Sequence, residues 1–363
     1  MIWINDGIMM ILAFFLGVGA LDYCLGNRFG LGESFHRGLM TMGSVALAMI
    51  GIITLAPIAA NLLIPIVSPL YLLIGADPAS FANTILALDM GGYALAEAMA
   101  HDTDAGVFSW VFLGTMLGPT IVFTLPVALS IIKKEDYSSF SKGILIGLST
   151  IPIGCFVGGA LAGFEFQMMI LNLLIPTLFS LVIMIGLWKK PEWWIRRFVT
   201  FGKLVQVVGV IGLVIAGVEV LTGIRLFQEM APYSEGLQIV GTIALVLGGA
   251  FPLVECISKV FRKPLERSGH LIGLDRFAMA GLVAALAHVI PAFTLLGNMK
   301  TKGKVVVVAF SVSGAFVIGG HLGFVAGIDR DMVPYMMIGK LIGGLTAIAL
   351  ALWFERKKSV YNG

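Results

Sequence analysis

The 363 residues are 58% hydrophobic and only 12% charged, where an ordinary soluble domain carries about 25% charged side chains. That is too few polar groups to cover a water-facing surface, so a soluble fold is excluded and lipid is the outer solvent. The net charge of +3 argues against nucleic acid as a partner, and Cys24, Cys155 and Cys256 are spaced too widely for a metal site or a disulfide framework.

Apolar runs of about 18 residues or more mark membrane spans. The first covers 2–23. It starts almost at the first residue without a basic leader and is long enough to cross, so it reads as a retained helix and not a cleaved signal peptide. A second span, 39–60, contains Pro57 and is followed by polar Asn61. Residues 81–100 are apolar but weaker, with Asp89 and several Gly and Ala. Spans follow at 106–132, 143–163, 168–188, 199–222 and 236–260. Residues 272–296 form another weak segment, with Asp275, and the last spans are 305–327 and 333–353. The 45 glycines suit helices that pack closely in lipid through small residues.

The polar gaps alternate in charge. Basic gaps hold Arg28 with Arg37, then Lys133, Lys134 and Lys142, then Lys189, Lys190, Arg196 and Arg197. Further on come Lys259, Arg262, Lys263 and Arg267, next Lys300, Lys302 and Lys304, and last Arg356, Lys357 and Lys358. The intervening gaps hold Asp77, Glu165, Glu229 with Glu235, and Asp329 with Asp331. With the basic gaps in the cytoplasm the spans alternate without contradiction, the N-terminus outside and the C-terminus inside. Trp188, Trp193, Trp194 and Trp353 then form an aromatic belt at the cytoplasmic edges. In this frame neither weak segment can cross, because its two flanks share a side. Both read as re-entrant hairpins, 81–100 entering from outside and 272–296 from inside. Non-helical backbone at such depth is tolerated only where it lines a cavity or is buried in protein.

The halves then match in order: span, span, hairpin, span, span, on either side of a linking helix. One transmembrane transporter domain is expected, with residues 1–166 as a first repeat, 167–197 as the linking helix and cytoplasmic loop, and 198–363 as a second, inverted repeat. Leu88-Asp89 and Leu274-Asp275 each open an Ala-rich stretch that closes on a histidine, His101 or His288. Pro57 and Pro252 are each followed about one turn later by a polar residue, Asn61 or Glu255. The expected fold is an all-α polytopic membrane protein of about nine transmembrane helices plus two opposed re-entrant hairpins in inverted-topology repeats, the organisation of secondary transporters.

Ionisable groups inside a membrane are costly, so each is a functional candidate. Asp89 and Glu97 would share a face of a continuous helix, but Gly91 and Gly92 favour a break that brings Asp89 to a hairpin tip. These carboxylates either form a cation-attracting pocket or cap helix ends and pair with basic groups. Glu255 follows Pro252, whose missing N–H frees a carbonyl. It either joins that carbonyl as a ligand for an ammonium or sodium ion, or reaches to Lys259 and Arg262. Asp275 adjoins Arg276, so a local pair or cap is its plainer reading. His101, His288 and His321, with Asp275, are the candidates for coupling or gating; a buried histidine otherwise bonds one helix to another.

No P-loop, dinucleotide glycine fingerprint, His-Glu-x-x-His or nucleophile elbow is present. No enzyme activity, cofactor or metal is expected, and ATP does not drive the chain directly. The stretches Ile85-Leu-Ala-Leu-Asp-Met-Gly-Gly-Tyr-Ala-Leu-Ala-Glu97 and Gly248-Gly-Ala-Phe-Pro-Leu-Val-Glu255 resemble the ethanolamine-utilisation permease family, EutH. So do Gly273-Leu-Asp-Arg-Phe-Ala-Met-Ala-Gly281 and Ala287-His-Val-Ile-Pro-Ala-Phe293, and the resemblance runs over nearly the whole chain. It implies import of ethanolamine across the bacterial inner membrane, with a functional link to a cytosolic ethanolamine ammonia-lyase. Whether the chain forms a homo-oligomer stays open. The protonated amino alcohol asks for a carboxylate, an aromatic face for cation–π attraction and a partner for its hydroxyl. Asp89, Glu97 or Glu255 suits the ammonium, Tyr93 the aromatic face, and Asn61, Asn83 or Thr115 the hydroxyl. The rival readings are an ion-coupled carrier of a nucleoside or carboxylate, a membrane enzyme acting on lipid head groups, and a receptor or scaffold.

Overall fold

The computed structural model describes residues 2–260, 264, 267, 269 and 271–361; Arg262 and Lys263 of the fourth basic gap lie outside them. Helices make up 86% of it and no strand occurs among the described residues, so the fold is all-α. Helices α1 (Ile2–Cys24) and α2 (Leu31–Leu72) are joined by a turn that Asp22 organises. Its carboxylate accepts the N–H groups of Phe29, Leu31 and Gly32 at 2.9, 2.8 and 2.9 Å. The second helix outruns the expected 39–60: its 42 residues, at ~1.5 Å each, make a rod about twice as long as a hydrocarbon core is thick.

Next come α3 (Ala79–Ile85) and α4 (Gly92–Met99), with a single 3-10 turn, Leu88–Met90, between them. Asp77 fastens the base of this helix–break–helix unit. Its Oδ1 accepts from the Ala79 N–H at 2.8 Å, and its Oδ2 from the His101 and Asp102 N–H groups at 2.9 Å. One carboxylate thus holds both ends of the unit, so the segment returns to where it began. Helix α5 (103–131) is a long rod wound partly as π-helix, at Ser109–Leu113 and Thr120–Thr124.

Helices α6 (Tyr137–Ala162), α7 (Phe166–Lys189), α8 (Pro191–Thr222) and α9 (Tyr233–Val260) follow. A second helix–break–helix unit is formed by α10 (Arg276–Ala287) and α11 (Val289–Thr294). Here Asp275 is the fastener. Oδ1 caps α10 through the Phe277 and Ala278 N–H groups at 3.0 Å, and Oδ2 accepts from the Lys300 N–H at 2.8 Å. Each clasp reaches 25 residues along the chain, from Asp77 to Asp102 and from Asp275 to Lys300. This corrects the expected match of Asp89 with Asp275: Asp77 has the role of Asp275, while Asp89 stands at the opposite end of its unit.

Helices α12 (Thr301–Gly314), α13 (Gly320–Ile328) and α14 (Val333–Tyr361) complete the chain. The continuous span expected at 305–327 is corrected to two helices divided at 315–319. The backbone leaves the helix there because the Phe316 and Ile318 N–H groups bond the carbonyls of Ala285 and Leu286, at 3.0 and 2.9 Å. Eight helices among the described residues are long and apolar enough to cross a bilayer; this broken one is the further expected span.

Helices α1, α2, α8 and α9 pack into one group, with α9 lying along α2. Helices α6, α12 and α14 form another. The first helix–break–helix unit packs on α2 and α5, the second on α12, and α13 lies against α9. Within the second group α6 and α14 touch backbone to backbone. A Cβ at Gly154 would lie 2.7 Å from the Gly339 carbonyl oxygen and 3.2 Å from the Gly343 Cα, a spacing that small residues permit between membrane helices. Large apolar side chains, among them Met10, Phe14, Leu62, Leu178 and Val214, face outward, as a lipid-facing surface requires. Contacts join several of the basic gaps in pairs: the Lys259 ammonium donates to the Phe29 carbonyl at 2.9 Å, Lys304 pairs with Asp136, and Lys142 with Glu355.

Candidate functional site

Two tips and one break converge on a cavity of about 820 Å³. The first tip forms because α3 stops at Leu86, whose backbone is extended (φ −118°, ψ 142°). One 3-10 turn carries Asp89, and Gly91 at φ 93° then starts α4. That left-handed angle is open to glycine and costly for a side-chain-bearing residue. Asn83 braces the turn from inside: its Oδ1 accepts from Ser109 Oγ at 2.9 Å and its Nδ2 lies 3.5 Å from the Leu86 carbonyl oxygen. The tip therefore presents Asp89 and Met90 to the cavity.

The second tip is His288, extended (φ −162°, ψ 141°) between α10 and α11, with its Nδ1 accepting from the Ile290 N–H at 3.2 Å. Beside it runs the break between α12 and α13, held by the Ala285 and Leu286 carbonyls. Phe316 in this break has φ 61°, a strained angle for a residue with a Cβ, costing on the order of 1–3 kcal/mol. The strain aims its ring at the cavity. The ring centroid lies 4.8 Å from both His288 and His321 and 5.9 Å from Phe123. His321 is buried, and its Nδ1 has no protein hydrogen-bond partner. Asp89, Phe123, His288, Phe316 and His321 all line the cavity, as do exposed Ser44, Lys203 and Gln206.

The remaining sequence candidates lie elsewhere. Glu255 pairs with Lys259 at 3.1 Å, and Asn61 is exposed on α2. Neither lines the cavity. Tyr93 packs edge-on against Trp110 and Phe324, with centroids at 5.3 and 5.6 Å. Glu97 is exposed near the clasped base of the first unit. Thr115 is buried and turns its hydroxyl to the Val111 carbonyl at 2.7 Å. Asp275 is the clasp already described, and His101 faces Ser68 Oγ across 3.3 Å at the first base. Of the eleven candidates the structure brings together Asp89, His288 and His321.

Four further residues were not singled out. Phe123 and Phe316 are lost in sequence among many apolar neighbours, and Asp77 reads as a loop acid. Lys340 carried a plain signal: it is a charge in the middle of an apolar span. It is fully buried, and its ammonium donates to the Thr115 carbonyl at 2.6 Å. The site thus combines a carboxylate at a cavity wall and an aromatic and imidazole lining, with a buried lysine on the Thr115 carbonyl outside the cavity lining. Such a set suits a small cationic, hydrogen-bonding solute.

A family model described as "Ethanolamine utilisation protein, EutH" matches residues 4–354. The chain is 58% identical to "Uncharacterized protein YxeR" of Bacillus subtilis, over 98% of this chain and 96% of the relative. It is 52% identical to "Probable ethanolamine permease EutH" of Listeria monocytogenes, over 99% and 96% of the two chains. To the protein of the same name from Salmonella typhimurium it is 39% identical, over 98% and 96%. No solved structure matches the chain.

Proposed function

The chain belongs to the EutH family of ethanolamine utilisation proteins, and we propose that it carries protonated ethanolamine across the bacterial inner membrane by alternating access. The observation that carries this reading is the convergence of Asp89, Phe316 and His321 on one cavity that the two helix–break–helix units reach with Asp89 and His288. The Asp89 carboxylate receives the ammonium, and a charge-assisted hydrogen bond in a dry site is the strongest contact available to it. The Phe316 and Phe123 rings offer π faces to the same cation. The unbonded His321 Nδ1 takes or gives a hydrogen bond with the hydroxyl.

The two halves are read as inverted repeats, 1–166 and 198–363, with 167–197 as the link, and the two clasped units as hairpins that enter from opposite faces. The alternation of basic and acidic gaps along the sequence, with contacts that pair basic gaps with one another, supports a cytoplasmic assignment for the basic gaps, with the N-terminus outside and the C-terminus inside. In the carboxylate-carrier rival, Arg276 would have to bind the substrate. Instead its guanidinium stacks on Phe277, 4.8 Å from the ring centroid, and does not line the cavity. Transport, and not catalysis, is the activity the geometry supports. Imported ethanolamine supplies a cytosolic ammonia-lyase.

The test is uptake of radiolabelled ethanolamine into proteoliposomes at acidic pH, where the cation dominates and leakage of the neutral amine through lipid is least. Saturable uptake above that of protein-free liposomes is the expected result. Uptake no faster than the control, from folded protein, overturns the proposal.

A further inference from the structure

A buried lysine in a membrane helix is expensive unless something uses its charge. Lys340 lies on α14 beside the Gly339 crossing, with no exposed surface. Its ammonium occupies a place that the backbone of α5 prepares. In a regular helix the Thr115 carbonyl would accept the N–H of the residue four further on. That residue is Pro119, which has no N–H, and the rod is wound as π-helix immediately after it. The orphaned carbonyl points into the protein, and Lys340 Nζ donates to it at 2.6 Å.

A freed carbonyl together with a nearby carboxylate is the donor set by which broken membrane helices hold a coupling cation. Here the carboxylate is Asp89, whose turn packs on the same stretch of α5: a Cβ at Gly114, next to Thr115, would lie 3.2 Å from the Leu88 Cβ. Asp89 lines the cavity and Lys340 does not, so the lysine approaches from the protein side and leaves the cavity face of the carboxylate open.

We propose that the Lys340 ammonium is a resident counter-ion for Asp89, filling the position that a bound metal cation takes in an ion-coupled carrier. The empty site is then neutral, one carboxylate against one ammonium, and needs no sodium to be stable or to change conformation. Loading a protonated amine adds one positive charge to the moving site. Transport is therefore independent of sodium and driven inward by an inside-negative potential. This consequence for flux rests on the ethanolamine reading; the counter-ion role does not.

The experiment separates the two. Purified wild-type protein, Lys340→Met and the double variant Asp89→Asn with Lys340→Met are compared by thermal unfolding in sodium and in potassium chloride. Lys340→Met is expected to unfold at lower temperature than wild type and to be raised by sodium. The double variant is expected to recover most of the loss and to ignore sodium. If Lys340→Met yields no folded protein, the double variant decides. A folded double variant supports the counter-ion, whereas an unfolded one shows that the lysine serves only the Thr115 carbonyl and overturns it. Equal stability of Lys340→Met and wild type, with no response to sodium, also overturns it. Wild-type proteoliposomes are then given a sodium gradient, or a potassium gradient with valinomycin. Several-fold faster ethanolamine uptake with the potential and none with sodium is expected, and a requirement for sodium overturns the proposal. No ethanolamine uptake under any condition sinks the substrate reading and leaves the stability comparison to judge Lys340.

Discussion

Asp89 owes its position to a backbone break and its importance to its charge, so the informative change keeps the shape and removes the charge. Asp89→Asn replaces a charge-assisted contact by a neutral one, a difference of about 1–3 kcal/mol, or roughly 5- to 150-fold in apparent affinity. The expected outcome is loss of saturable uptake at low substrate concentration from protein that still elutes as a single folded species. Unchanged uptake kinetics would remove Asp89 from the site. Phe316→Leu keeps bulk and discards the π face, and a cation–π contact of about 0.5–2 kcal/mol predicts a Michaelis constant raised by about 2- to 30-fold with maximal rate nearly kept. A loss of maximal rate alone would show that the ring shapes the break and does not touch the cation. At this scale the sequence was legible where one rule sufficed: an acid in an apolar segment beside two glycines is conspicuous. The same rule applies to Lys340, which was passed over because its span reads as plainly apolar around it. Glu255 shows the converse, since a carboxylate with a lysine one turn away satisfies itself at 3.1 Å.

The two helix–break–helix units depend on Asp77 and Asp275, each of which ties its base with three backbone N–H bonds. Replacing a capping acid costs about 0.5–2 kcal/mol, and here the same change also opens the base. Asp275→Asn is therefore expected to lower the unfolding temperature by a few degrees. It should also speed hydrogen exchange at the Phe277, Ala278 and Lys300 amides, leaving those near Asp77 unchanged. Exchange that rises evenly through the protein would mean that the clasp is not a local device. The apolar pattern made both units visible as segments too weak to span. Their register was not visible, because Leu-Asp occurs at a tip in one unit and at a base in the other. The interruption of 305–327 was hidden for a different reason: Ala315, Phe316, Val317 and Ile318 are all apolar. The residues that pull them out of the helix, Ala285 and Leu286, are about 30 positions away in a pairing that local propensity does not encode.

For the whole molecule, the proposed opposition of the two bases would mean that one tip is reached from one side and its partner from the other. The first base is fastened at His101 and Asp102, near exposed Glu97. The second is fastened at Lys300, in the basic gap that also holds Lys304, which pairs with Asp136. The cavity is also lined by Ser44 and Gln206, which are exposed, and a mouth at these residues would open the site to one side. An inverted-repeat carrier reaches the other side by exchanging the arrangements of its halves. Single cysteines at Glu97 and at Ser44, in a chain whose Cys24, Cys155 and Cys256 have been replaced, test this with a membrane-impermeant maleimide. The Glu97→Cys protein is expected to label from outside in intact cells, and the Ser44→Cys protein in inside-out vesicles. Labelling of both from the same side overturns the opposed arrangement. Ethanolamine should slow the reaction at Ser44→Cys, since loading lets the site turn away from that side. An unchanged labelling rate, in vesicles that transport ethanolamine, would mean that the mouth stays open throughout the cycle and that access alternates by a barrier elsewhere.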